Sequence, residues 1–99
     1  MLVVAGALTV DPEAHDLFLT AAAAVVADTI VEDGCLEYAF WADPGRRGRF
    51  LVFEEWESEA HLDAHLRAPH LRAFQATLAE IGLRRATVRR YQVEAVRPL

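Results

Sequence analysis

Two strand-like runs, residues 35–42 and 49–56, carry large apolar side chains on both of their faces. Successive side chains of a strand point to opposite sides, so residues i and i+2 share a face. In the first run Leu36, Tyr38 and Phe40 point one way, while Cys35, Ala39 and Trp41 point the other, interrupted only by Glu37. In the second, Phe50, Val52 and Trp56 alternate with Leu51 and Phe53. A sheet containing such strands needs cover on both sides. Helices of the same chain can cover one face. The other calls for a partner, and a second copy of the chain is the simplest, so a homodimer is expected. A ligand-binding sheet in a monomer is the alternative.

The flanking sequence supplies the helices. Residues 2–9 read as a strand. Asp11-Pro12-Glu13 then opens a helix, with Asp11 as N-cap, Pro12 at the first helical position and Glu13 at the positive end of the dipole. It is expected to run to about Val31, with Phe18, Ala22, Val25 and Ile30 near one stripe, and to stop at Gly34. Asp43-Pro44-Gly45-Arg46-Arg47-Gly48 joins the two apolar strands as a hairpin. Ser58 suits the N-cap of a short helix ending before Pro69. A further helix spans Pro69 to Gly82, with Leu71, Phe74, Leu78 and Ile81 inward. Residues 84–96 form a last strand. The order β-α-β-β-α-β predicts a ferredoxin-like α+β sandwich, a single domain over residues 1–99.

Composition narrows the partners and the chemistry. The chain has 99 residues and is 54% hydrophobic, with 18 Ala, which excludes a disordered segment. Net charge is −5, with all ten Arg after residue 45 and eight of the fifteen acids before it. An acidic domain is a poor nucleic-acid binder. The apolar stretch Leu17–Ala27 is too short to span a bilayer, so no membrane partner and a soluble, cytoplasmic protein are expected. There is no Lys and no Asn, and Ser58 and Cys35 are the single Ser and Cys. Schiff-base chemistry on Lys, internal disulfides and Cys-based zinc sites are thereby excluded. Cys35 reads as a small packed residue, and Gly45 to Gly48 is too little for a phosphate loop.

Two segments are distinctive: Glu32-Asp33-Gly34-Cys35-Leu36-Glu37-Tyr38, and residues 49–74, RFLVFEEWESEAHLDAHLRAPHLRAF. With Glu54, Trp56, Ala64-His65-Leu66 and Pro69-His70 in order, they resemble the antibiotic biosynthesis monooxygenase family of dimeric α+β barrels. The second segment is most similar to its bacterial quinol monooxygenase members. The resemblance implies two sheets facing each other in a dimer and a pocket between sheet and helices in each subunit. It implies oxidation of a quinol or polycyclic phenol to a quinone with O₂ and no bound cofactor. Haem-degrading relatives use an Asn that this chain lacks.

Such a reaction needs a base, a donor for the developing oxyanion, and a dry pocket. His65 and His70 are the base candidates, because imidazole titrates near neutral pH, and either could serve. Trp56 is the third catalytic candidate, through its indole N–H. Tyr38, Phe53, Trp56, Leu66 and Phe74 are the expected substrate-binding residues. Arg49, Glu54 and Glu55 read as hairpin or edge charges. His61 and His65, with Glu54 or Glu57 as a third ligand, make too weak a pattern to assign a metal. The expected partners are a small aromatic substrate and O₂. Two alternatives stand: an isomerase of a small phosphorylated sugar derivative, with Arg49 or Arg89/Arg90 holding the anion, and a non-catalytic dimeric binding module for a hydrophobic metabolite.

Overall fold

In the computed structural model, which describes Met1–Leu99, the elements run β1 (Leu2–Val10), α1 (His15–Thr29), β2 (Cys35–Ala42), β3 (Arg49–Trp56), α2 (Glu59–Leu66), α3 (Pro69–Ile81) and β4 (Leu83–Gln92). The four strands form one antiparallel sheet in the order β2-β3-β1-β4. This is the ferredoxin-like α+β arrangement that the element order predicts.

Local chemistry accounts for most boundaries. Asp11 accepts the Glu13 N–H at 3.0 Å, but the turn it caps is a 3₁₀ turn over Pro12–Ala14, and α1 starts only at His15. Ser58 caps α2 by accepting the His61 N–H at 3.3 Å. Pro69 opens α3, and Gly82 closes it in the left-handed conformation at φ 95°. The last strand stops at Gln92, short of residue 96, because Gln92 already pairs with Leu2, the first residue of β1.

The register decides which side chains meet. Tyr38, Glu54, Val4 and Arg90 form one row across the helix-facing side. Trp41, Leu51, Ala7 and Thr87 form a row on the other side. A bulge between Cys35 and Glu37 pairs Cys35 with Trp56 and leaves Leu36 exposed. This reverses the expectation for both residues: an extra residue shifts the alternation by one, so Cys35 packs against the core.

The core lies between the sheet and its helices. Phe18 of α1 stacks on Phe50 of β3 at 3.9 Å and meets Phe40 and Phe74 edge-on. No helix covers the opposite face, where Trp41 remains 53% exposed and Leu51 and Tyr91 are also open. No helix is long and apolar enough to cross a membrane.

Candidate active site

Glu32 lies in the turn after α1, His65 in the last turn of α2, and His70 in the first turn of α3. Folding brings all three together. Glu32 Oε2 is 2.6 Å from His65 Nδ1 and 2.7 Å from His70 Nε2. A carboxylate oxygen accepts, so both imidazoles donate to it. This fixes the His65 tautomer: the proton sits on Nδ1 and Nε2 keeps its lone pair.

The His65 side chain is 2% exposed. Its ring lies 4.8 Å from that of Trp56 and 5.2 Å from that of Tyr38. Burial pulls its pKa below the ordinary histidine value, and Glu32 opposes the shift. The result is a neutral imidazole at neutral pH. Nε2 forms no hydrogen bond within the chain, and it is not sealed off either: Thr29 Oγ1 is the one sealed side-chain polar atom without a partner.

His65 opens on a cleft of about 280 Å³ between sheet and helices. Its apolar lining includes Phe40, Leu62, Leu66, Leu71, Phe74 and Leu78, with Glu54 on the sheet side and Arg89 and Arg90 at β4. A larger hollow of about 720 Å³ lies on the uncovered sheet face. It holds neither the histidines nor a buried carboxylate, so the chemistry points to the smaller cleft.

The expected site residues divide accordingly. Leu66 and Phe74 line the cleft with His65. Phe53 does not: it faces the uncovered side of the sheet, beside Trp41 and Leu51, because it alternates with Val52 and Glu54. Trp56 is fully buried, and its indole donates to Glu54 Oε1 at 2.9 Å, so it braces the site from behind. Tyr38 is buried against His65 and Trp56; burial, then Glu54 and Glu32, push its phenol pKa far upward. His70 reaches the cluster but contacts a separate groove between α1 and α3.

Two expectations about charge need correction. Glu54 is no edge charge: it sits in the helix-facing row and is 7% exposed. Burial pushes its pKa up to about 7, although the Trp56 N–H favours ionisation. His61 and His65 do not converge. His61 is held at 2.7 Å from Ser58 Oγ and at 3.5 Å from Asp33, while His65 turns inward. The grouping with metal-ligand chemistry is instead Glu32, His65 and His70. In this arrangement the three are joined by hydrogen bonds of 2.6 and 2.7 Å through Glu32 Oε2.

Glu32, which joins the two histidines, is absent from the site residues expected from the sequence. The signal was its place at the head of the distinctive 32–38 segment.

The profile of the family described as "antibiotic biosynthesis monooxygenase" matches residues 1–77. The chain belongs to this family. A Deinococcus radiodurans structure described as a candidate member superposes with a TM-score of 0.92 over 100% of this chain and 99% of that one, at 24% identity, which establishes the fold. YcnE of Bacillus subtilis, named as a candidate monooxygenase, is 28% identical over 81 residues, 82% of this chain and 85% of that protein. YgiN of Escherichia coli K12, named as a probable quinol monooxygenase, is 37% identical over 60 residues, covering 52% of this chain and 58% of that protein.

Proposed function

We propose that this family member is a cofactor-independent monooxygenase that oxidises a quinol or polycyclic phenol to a quinone with O₂. The observation that carries this reading is the His65 imidazole. Its Nδ1–H is held by Glu32, and its Nε2 is unpartnered in an apolar cleft. The monooxygenase names of YcnE and YgiN support the reaction class.

Ground-state O₂ is a triplet and reacts slowly with closed-shell organics. A phenolate is electron-rich enough to pass one electron to it, so the substrate serves as reductant. His65 Nε2 takes the phenolic proton. Electron transfer and radical recombination form a C–O bond to the ring, and loss of water gives the quinone. Two substrate hydrogens and one oxygen atom leave as water, and the other oxygen atom enters the product. Glu32 holds the imidazole in place and stabilises the imidazolium. His70 shares that carboxylate and acts through it, and Trp56 supports the His65 ring. Phe74 and Leu66 pack the substrate ring and keep water out.

The isomerase reading is less well supported. Arg49 is engaged with Asp43 at 2.8 Å, and Arg90 with Glu59 at 2.9 Å, which leaves Arg89 as the one cleft arginine outside an ion pair. We further propose that a second copy covers the open sheet face, a reading supported by its exposed Trp41, Leu51 and Tyr91.

O₂ uptake with hydroquinones and polycyclic phenols tests the reading. Turnover is expected in air and lost under anaerobic conditions, with His65→Ala slowed most and His70→Ala and Trp56→Phe less. Equal rates in all three variants and the wild type would remove this site. Anaerobic turnover would favour an isomerase, and tight ligand binding without turnover a binding module.

A further inference from the structure

The chain has no Asn, and its buried indole N–H is committed to Glu54. Gln75, exposed on α3, is the one amide lining the cleft, and the sheet side offers no neutral amide or hydroxyl donor for a substrate oxygen that gathers negative charge. We propose that Glu54 fills this role as a neutral carboxylic acid, donating a hydrogen bond from the sheet side of the cleft while His65 removes a proton from the helix side. This rests on the oxygenase reading only for the identity of the reaction. The recognition it describes, an acid facing an oxygen acceptor, does not depend on turnover.

Four observations support it. Glu54 and His65 line the same cleft from opposite layers. Trp56 donates to Glu54 Oε1, which orients the carboxyl and commits that oxygen. Glu54 Oε2 has no partner in the chain and is not among the sealed, unsatisfied atoms, so it keeps contact with the cleft. The surroundings disfavour a charge there: burial is the largest influence, and Glu32 adds repulsion.

The neighbouring groups fit the same assignment. Tyr38 on β2 is directly opposite Glu54, and its phenol stays protonated. Cys35, also on β2, has its thiol pKa pushed up to about 11 by burial and then by Glu32 and Glu54, so it stays neutral. His65 on α2 is neutral at neutral pH. Arg90 on β4 shares the row with Glu54, but Val4 separates them, and the guanidinium is drawn to Glu59 and Asp63. Arg89 pairs with Ala5 on the edge strand β4, where it borders both the uncovered face and the rim of the cleft, and it is not among the groups that act on the Glu54 carboxyl. No cation is therefore placed to ionise Glu54. A carboxyl held neutral in an apolar site is an established way to stabilise an oxyanion at neutral pH.

The test uses 1,4-naphthoquinone, whose oxygens only accept, with binding followed by tryptophan quenching. Wild-type affinity is expected to fall about tenfold between about pH 6 and about pH 8.5, the cost of one lost donor. Glu54→Gln, whose amide donates at every pH, should bind at a level affinity across that range. A level wild-type profile, a parallel fall in Glu54→Gln, or no binding at either pH would overturn the proposal. As a second readout, Trp56 emission in a Trp41→Phe background should titrate near neutrality and lose that transition in Glu54→Gln. A midpoint in the ordinary carboxylate range would also overturn it. Absence of O₂ uptake, with these binding profiles intact, would count against the oxygenase reading alone.

Discussion

At the residue scale, two buried titratable groups face one cleft and are shifted in opposite directions. His65 is held below the ordinary histidine value and Glu54 is raised to about 7. If His65 is the base, His65→Ala should lower kcat by about 10²–10⁴-fold, the usual contribution of a positioned general base. Glu32→Gln should act differently. Glu32 raises the His65 pKa, so removing its charge should move the acid limb of the pH–rate profile to lower pH and weaken the base. An unmoved acid limb would show that Glu32 does not act through His65. Glu54 also has a signature in stability. Its folded pKa is above its unfolded value, so the folded chain holds the proton more tightly. That stabilisation is complete below the unfolded value and is lost as pH rises to about 7. The difference corresponds to about 3 kcal/mol at most. Glu54→Gln, which cannot ionise, should therefore gain in Tm relative to wild type between about pH 5 and about pH 8, as measured by thermal denaturation. A constant Tm difference would mean that the carboxyl is not buried as described.

At the element scale, what was legible in the sequence was what neighbours along the chain decide. Ser58, Pro69 and Gly82 mark helix ends because capping is local, and the structure uses all three. The bulge at Leu36 was not legible, since it exists only relative to β3. Nor was the burial of Glu54, which depends on helices arriving from elsewhere in the chain. The site itself was half legible. His65 and His70 stand out as residue types in a distinctive segment, but their shared acceptor is Glu32, 33 and 38 residues away in sequence. Phe53 failed as a cleft residue although its alternation with Val52 and Trp56 is visible in the sequence; which of the two faces the helices cover is not. The turn that presents Glu32 makes its own prediction. Gly34 has φ +78°, and a Cβ there would collide with the His61 ring. Gly34→Ala should cost about 1–2 kcal/mol from the left-handed conformation alone, before the collision is relieved. It should also slow turnover by displacing Glu32, and thermal melts with O₂ uptake would measure both. Unchanged stability would mean that the turn relaxes into another conformation.

At the scale of the whole molecule, the open sheet face follows from the apolar side chains on both faces of β2 and β3. Its two ends differ in charge. Arg49, Thr9 and Arg85 form the row at one end, and Glu37, Glu55, Val3 and Tyr91 the row at the other. Glu37 and Glu55 are directly opposed, and like charges in that position repel. Between the ends lie Ala39, Phe53, Ala5 and Arg89, then Trp41, Leu51, Ala7 and Thr87. A two-fold copy laid antiparallel on this face would set each basic end on the partner's acidic end and cover Trp41, Leu51 and Phe53 in the middle. The symmetry of such a contact means that one substitution acts twice. Leu51→Glu, in the middle of the face, should convert a dimer to a monomer in sedimentation velocity, because it buries two unpaired charges. Arg85→Glu should weaken the dimer less, and its effect should shrink as salt screens the ends. The helix-side cleft lies on the other side of the sheet, so both variants should still bind 1,4-naphthoquinone. A wild-type chain that sediments as a monomer would overturn the antiparallel dimer. Loss of quinone binding in Leu51→Glu would instead show that the cleft depends on the partner copy.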